Sequence, residues 1–190
     1  MVQPRTGTRK HVQLLLSGGI DSAACLDFLL DTGFSVGCMF VDFGQPASVS
    51  ELASVRKITD HFSVPFEVVK VTGLRTVYFG ELTGRNGFLL FTCLVNCGAP
   101  PPSAISIGVH AGTNYADCSK QFVERIDNVF SELTGGQTRV LAPFVEWDKN
   151  RVVEYARARM VPLEKTFSCE SGISPCGKCS SCIDREILQC

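Results

Sequence analysis

Residues 12–16, Val-Gln-Leu-Leu-Leu, run directly into Ser17-Gly18-Gly19-Ile20-Asp21-Ser22, and then into apolar positions at Ala23, Ala24, Leu26, Leu29 and Leu30. A short apolar run, two glycines and a helical period read as strand, tight turn and helix. Gly18 and Gly19 can take positive φ and let bare backbone amides approach an anion. Asp21 and Ser22 are good N-cap residues, so the helix is expected to begin near them, with its free N–H groups and positive dipole end at the same spot. Leu16 and Ile20 border the loop, and Ser17 and Ser22 add hydroxyl donors. Asp21 repels phosphate on its own, so it either orients the loop or holds Mg²⁺ against a polyphosphate. No G-x-x-x-x-G-K-[ST] string occurs in the chain, which excludes a Walker A loop. A plain βα turn with a Ser/Asp cap is the alternative, and the glycines alone do not separate the two.

Strand and helix patterns alternate onward. Strands are expected at 12–16, 36–41, 66–71, 104–109 and 138–141, and helices at 22–31, 49–61, 87–97, 119–132 and 148–159. Alternation of this kind implies an α/β fold with a doubly wound parallel sheet, whose ligands bind beyond the carboxyl ends of the strands. The Ser17 loop, Asp42, Gly108 and His110 all fall at such ends. The 190 residues suit one domain, 11–190, behind a disordered tail at 1–10. Net charge −1 and pI near 6.3 argue against general nucleic-acid binding, although Arg56, Lys57, Lys70, Arg75 and Arg85 could form a local basic patch. The longest apolar run, 88–95, is too short to cross a membrane. Arg5, Arg9 and Lys10 precede only the five-residue run 12–16, too short for a signal-peptide core, so no signal peptide is read and a cytoplasmic location is expected.

Ten cysteines could suggest a disulfide framework. However, Cys25, Cys38, Cys93 and Cys97 lie in apolar segments, where cysteine behaves as a small hydrophobe. In a reducing compartment the C-terminal set, Cys169, Cys176, Cys179 and Cys182, reads as a tetrahedral thiolate site. Gly177 permits the knuckle turn between Cys176 and Cys179, and Lys178 offsets negative charge. Four sulfurs with no open position predict structural Zn²⁺; a redox C-x-x-C pair and an iron–sulfur cluster are the alternatives. Cys190 is read as a bystander.

The S-G-G-x-D-S string directly after the first strand resembles the phosphate-binding PP-loop of the ATP pyrophosphatase superfamily, whose members split ATP between the α and β phosphates to adenylate a substrate. The tail, Thr166-Phe167-Ser168-Cys169-Glu170-Ser171-Gly172, then Pro175-Cys176-Gly177-Lys178-Cys179-Ser180-Ser181-Cys182 and Arg185, resembles the 7-cyano-7-deazaguanine (preQ0) synthase family of queuosine biosynthesis. So do Asp42-Phe43-Gly44-Gln45, Gly84-Arg85-Asn86, Gly108-Val109, Tyr115-Ala116-Asp117-Cys118, Pro143 and Asp148-Lys149, in the family's order across residues 12–187. The resemblance implies an adenine nucleotide alpha hydrolase-like fold with a zinc knuckle at 166–187. It also implies a C–N-forming ligase that uses ATP, Mg²⁺ and ammonia on 7-carboxy-7-deazaguanine, and a homodimer. Carried over residue by residue, Leu16, Ser17, Gly18, Gly19, Ile20, Asp21, Ser22 and Asp42 would bind ATP. Ser17, Asp21, Ser22 and Arg85 would act in catalysis, and Gln45, Arg85, Asn86, Tyr115 and Asp117 would bind substrate.

The departures cluster on the substrate side. Where the family has Arg-His after Gln, this chain has Pro46-Ala47, and Glu51 stands one place late. Glu170 replaces a common Tyr, Ala116 and Ser119 replace Pro and Arg, and the segment between Lys70 and Gly84 is much shorter. This pattern is consistent with a paralogue that joins the activated carboxylate to another amine, such as one on a protein. A tRNA-thiolating enzyme with Cys118 as sulfur carrier is a further alternative, as is a non-catalytic nucleotide binder. His110 reads as a base or substrate contact, or else as a loop histidine. Trp147 is expected to pack, and Glu124, Arg125, Asp127 and Glu132 to form a solvated helix face or i,i+4 pairs.

Overall fold

Side chains alternate across a strand, and in this chain both sides of the alternation are apolar. Val12 and Leu14 of the first strand, with Leu16 just past its end, share one buried cluster with Val36, Cys38 and Phe40 of the second. Leu15, Met39 and Val41 join Ile105 and Ile107 in the other. A sheet buried on both faces requires helices on both, as the computed structural model has them; it describes residues 9–74, 82–113 and 115–190. The strands are β1 (His11–Leu15), β2 (Ser35–Asp42), β3 (Phe66–Lys70), β4 (Ala104–Ile107) and β5 (Arg139–Leu141). They pair in parallel in the order β3-β2-β1-β4-β5. The helices are α1 (Ile20–Asp31), α2 (Ser48–Phe62), α3 (Arg85–Asn96), α4 (Lys120–Leu133), α5 (Lys149–Ala158) and α6 (Ser180–Ile187). Residues from α1, α2 and α5 form the first cluster, and residues from α3 and α4 the second.

The expected doubly wound sheet is therefore present, and its switch point lies between β1 and β4. Chain direction diverges there, leaving room for α1 to start above the sheet. Gly108, just past β4, makes the approach possible: a Cβ on it would stand 2.9 Å from the Asp21 carbonyl oxygen and 3.0 Å from the Ser22 Cα.

Several boundaries differ from expectation for physical reasons. Helix α1 begins at Ile20 with Gly19 as N-cap and no side-chain cap, because the Ser22 hydroxyl donates to the Gly19 carbonyl at 3.1 Å. Gly19 has φ −83, so only Gly18 (φ +84) uses the left-handed freedom read for both. Helix α3 starts two residues early, at Arg85, behind Gly84 (φ +76), so Arg85 and Asn86 occupy its first turn instead of preceding it. The last helix, α6, and single 3₁₀ turns at Ala116–Cys118 and Leu163–Lys165 have no counterpart in the sequence reading. Asp127 is not purely solvated: it pairs with Arg139 and accepts the Val140 N–H at 2.8 Å. Trp147 packs as expected, stacked on Phe144 at 4.7 Å between ring centroids, with the Arg151 guanidinium over its ring. Of the expected tail, residues 1–8 lie outside the described residues, as does Arg75 of the basic patch. Lys10 is already tied down, its carbonyl accepting the Ser35 N–H at 3.1 Å.

Candidate active site and metal centre

The loop after β1 is held on both sides by backbone. Gly18 leans so closely on α2 that an added Cβ would come within 2.7 Å of the Glu51 carbonyl oxygen. On the other side, the Gly18 carbonyl accepts the Phe167 N–H at 2.9 Å, joining the first loop to the C-terminal tail. The Ser17 and Ser22 hydroxyls lie 3.2 Å apart. Among the described residues, no backbone acceptor takes the N–H groups of Gly19, Ile20, Asp21 or Ser22, which form the open first turn of α1. An oriented set of free amides at a dipole's positive end, flanked by hydroxyls, is the chemistry of an anion cradle. Leu16 is buried beneath it, its N–H bonded to the Met39 carbonyl at 2.9 Å.

Asp21 carries the charge balance of this cradle. Lys149 Nζ sits 2.6 and 2.7 Å from its two carboxylate oxygens, and His110 Nε2 is 3.9 Å from one of them. Asp148 caps α5 by accepting the Arg151 N–H at 2.8 Å, which places Lys149 in the first turn. His110 Nδ1 is 2.6 Å from the Ala111 carbonyl, which fixes Nδ1 as the protonated nitrogen and turns Nε2 toward Asp21. In this structure Asp21 therefore orients the loop through an ion pair. Lys149 was read only as part of a family segment; the sole local sign of its placement is the capping aspartate before it.

Three of the expected substrate residues are held in two hydrogen-bonded pairs at the rim, Asn86 with Asp117 and Gln45 with Glu51. Asn86 donates its backbone N–H to Asp117 Oδ2 at 2.9 Å, and its amide to the Asp117 carbonyl at 3.1 Å and to Cys118 Sγ at 3.3 Å. These bonds pin the start of α3 to the 3₁₀ turn, with Asn86 and Cys118 buried. Gln45 accepts the Phe43 N–H at 3.0 Å and donates to the Val41 carbonyl (3.3 Å) and to Glu51 Oε2 (2.8 Å). Its polar atoms thus organise the turn after β2. Burial raises the Glu51 carboxyl above its ordinary range, against the opposing pull of the Gln45 amide and the Arg85 charge. Arg85 itself is exposed, in the first turn of α3. Tyr115 is half-buried against the second cluster. Asp42, its Oδ1 accepting the Gly44 N–H at 3.2 Å, opens on a cleft of about 460 Å³ shared with Phe43, Lys70 and Leu74.

The tail brings Cys169, Cys176, Cys179 and Cys182 together, all four sulfurs within 4.8 Å of one another. A tetrahedral zinc with bonds of about 2.3 Å needs sulfurs about 3.8 Å apart, and Cys176 and Cys182 stand at 4.0 Å. Donors surround two of the sulfurs: Cys176 Sγ accepts from Ser171 Oγ (3.5 Å) and from the Lys178 and Cys179 N–H groups (3.4 and 3.3 Å), and Cys169 Sγ from the Ser171 N–H (3.5 Å), whereas burial pushes the Cys182 thiol up to about 11. The Ser171 hydroxyl first, then those two amides, lower the Cys176 thiol to about 5. Gly177 takes φ +68 at the knuckle, as its sequence position implies. The donor set fits zinc.

Comparison with known proteins agrees with this arrangement. Residues 11–90 and 77–187 match the family model of the queuosine biosynthesis protein QueC. The chain is 28% identical over 201 residues to a 7-cyano-7-deazaguanine synthase of Prochlorococcus marinus NATL2A, covering 90% of this chain and 89% of that one. It is 30% identical over 197 residues to that of Archaeoglobus fulgidus, covering 90% and 82%. Among solved structures, the fold is shared with an NH3-dependent NAD synthetase from Campylobacter jejuni (TM-score 0.52, 14% identity, 85% of this chain and 70% of that one). It is also shared with a 4-thiouridine synthetase solved with RNA and bound ATP (TM-score 0.51, 20% identity, 95% and 50%). The cradle after β1, the thiolate tail bonded to it and the match along residues 11–187 lead to one conclusion: the chain belongs to the QueC family, on a PP-loop fold.

Proposed function

We propose that this protein is an ATP-dependent ligase that adenylates the carboxylate of 7-carboxy-7-deazaguanine and joins it to ammonia, giving the 7-amido and then the 7-cyano product. The observation that carries the reading is the family match spanning both the phosphate cradle and the thiolate tail, which meet at the Phe167–Gly18 bond. In the first step a substrate carboxylate oxygen attacks the α-phosphorus of ATP and pyrophosphate leaves. Ammonia then attacks the acyl carbon, loses a proton and expels AMP to form the amide. A second adenylation, on the amide oxygen, followed by loss of AMP and a proton, leaves the nitrile.

The chain's residues serve these steps as electrostatic stabilisers. The free amides of the first α1 turn, with Ser17 and Ser22, would hold the pyrophosphate as its charge develops. Lys149 would add a positive charge that moves between Asp21 and phosphate, and Arg85 would neutralise the substrate carboxylate at the rim. Asp42 would meet the nucleotide at the end of β2, and Gln45, Asn86, Tyr115 and Asp117 would shape the deazaguanine pocket. Asp21 supplies a carboxylate suited to Mg²⁺, which would neutralise polyphosphate charge. Zinc, held by Cys169, Cys176, Cys179 and Cys182, would cross-link the tail. A cytoplasmic homodimer completes the proposal; among the described residues, no helix is long and apolar enough to cross a membrane.

A second reading keeps the activation step and replaces ammonia by another amine, such as one on a protein. It is favoured by Pro46 and Ala47, which carry no charge where the family has Arg-His. Thiolation has less support, since Cys118 is buried beneath Asn86. The deciding experiment is mass spectrometry of products from purified protein, Mg-ATP, 7-carboxy-7-deazaguanine and ammonium. Nitrile with AMP and pyrophosphate is expected. Amide alone, or AMP without a released deazaguanine product, would favour the second reading, and no ATP turnover would refute both.

A further inference from the structure

The tail does more than approach the cradle: it presents a hydroxyl to it. A Cβ built on Gly19 would stand 3.6 Å from Ser17 Oγ, 3.7 Å from the Phe167 carbonyl oxygen and 4.0 Å from Ser168 Oγ. Ser168 thus borders the same face of Gly19 as Ser17, although 151 residues of sequence numbering separate the two serines, 168 less 17. The serine is held from three sides. Its neighbour Phe167 donates its N–H to the Gly18 carbonyl, and its other neighbour, Cys169, is 2% exposed within the thiolate cluster. From α6, Arg185 Nη1 reaches Ser168 Oγ (3.3 Å), Thr166 Oγ1 (2.7 Å) and the Thr166 carbonyl (3.3 Å), while Nη2 reaches the Leu163 carbonyl (3.3 Å).

The direction of these bonds decides what Ser168 can do. A guanidinium has only donors, so the Ser168 oxygen accepts from Arg185 and its own proton is left to donate elsewhere. Among the described residues no acceptor takes that proton. Thr166 differs: it accepts from Arg185 and donates to the Leu163 carbonyl at 2.6 Å, so its hydroxyl is satisfied. Ser168 is left as a free donor beside an anion cradle.

We propose that Ser168 is a phosphate-binding hydroxyl of the ATP site and that Arg185 is the positioning residue that aims it, so the thiolate knuckle helps set the geometry of the cradle. The inference rests on reading the Ser17–Ser22 loop as an ATP site. Its test is calorimetric titration of ATP, pyrophosphate and AMP into zinc-loaded wild-type protein, Ser168→Ala, Arg185→Lys and the double variant. Loss of a hydrogen bond to a charged phosphate should weaken ATP and pyrophosphate about tenfold or more and leave AMP unchanged. Metal content and melting temperature of Ser168→Ala should match wild type, a result a merely structural serine would not give. Because Arg185 acts through Ser168, the double variant should lose no more than Ser168→Ala alone. Wild-type affinity for ATP and pyrophosphate in Ser168→Ala would overturn the proposal and leave the ATP site standing. Additive losses in the double variant would overturn the role given to Arg185. Failure of wild type to bind ATP would overturn the reading of the loop, and this inference with it.

Discussion

Three glycines separate two costs that a methyl group can meet, and the phosphate loop bears both. Gly33, at the end of α1, has φ +91 and nothing within 4 Å of its ideal Cβ, so Gly33→Ala tests backbone strain alone. Gly108 is absent from the positive-φ set, but its Cβ would lie 2.9 Å from the Asp21 carbonyl oxygen, so Gly108→Ala tests overlap alone. Gly18 combines φ +84 with a Cβ 2.7 Å from the Glu51 carbonyl oxygen, a backbone atom that cannot rotate away. An L-residue in the left-handed region costs about 1–2 kcal/mol, and forcing a methyl into a filled site about 1–3 kcal/mol. Gly18→Ala should therefore cost about 2–5 kcal/mol, against about 1–2 for Gly33→Ala and about 1–3 for Gly108→Ala. At about 2–4 °C per kcal/mol for a chain of this size, Gly18→Ala should lower the melting temperature by about 4–20 °C. Urea denaturation without ligand, at constant m-value, measures the three side by side. If Gly18→Ala costs no more than Gly33→Ala, the loop is not seated on α2 and the cradle has been placed wrongly.

Two further outcomes follow from the charge and sulfur groups. Cys176→Ser should drop bound zinc from about one ion per chain toward none and lower the melting temperature, and chelation of the wild type should do the same; unchanged metal content by atomic absorption would refute the thiolate site. The Arg139 side-chain bond, then the Val140 N–H, hold the Asp127 carboxyl below its ordinary value. A depressed folded pKa gives stability that is present above the unfolded value of about 3.9 and is lost as pH falls through the folded one. Asp127→Asn should thus cost up to about 1 kcal/mol at pH 6–8, with the difference from wild type shrinking below about pH 4; a difference that grows on acidification would contradict the ion pair.

The sheet was legible because its signals are local: each strand is apolar on both faces, and each is followed by a helix-period segment or a turn. The thiolate site was equally legible, since four cysteines within fourteen residues, 169 to 182, need only a knuckle glycine to converge. The start of α1 misled for a specific reason. Asp21 and Ser22 look like N-caps, yet the Asp21 carboxylate is taken by Lys149 and the Ser22 hydroxyl by the Gly19 carbonyl. Helix α6 gave little signal because Ile183 and Ile187, its main apolar residues, face solvent instead of a core. The Lys149–Asp21 ion pair and the Arg185 fork join distant positions through side chains, and no spacing rule in one sequence reports such pairs.

The two halves of the site are fastened by different kinds of bond, and this bears on how its chemistry can vary. The cradle is tied chiefly by main chain: the Phe167 N–H to the Gly18 carbonyl, the Gly108 backbone against Asp21, and the Gly18 backbone against α2, with the Lys149–Asp21 ion pair added to them. A substitution at position 167 by any residue but proline leaves the donor of the first of these bonds in place. The rim depends on side chains, through Gln45 with Glu51 and Asn86 with Asp117. Under the proposed function, exchanging one of those side chains would change the shape and charge beside the substrate while the main-chain ties of the cradle remain. The departures from the family pattern at Pro46, Ala47, Glu51, Ala116 and Ser119 fall on or beside this rim. On the proposed function, a chain built in this way would retain carboxylate activation while altering what attacks the activated carbon, and for that reason product identity, more than ATP turnover, is the decisive measurement.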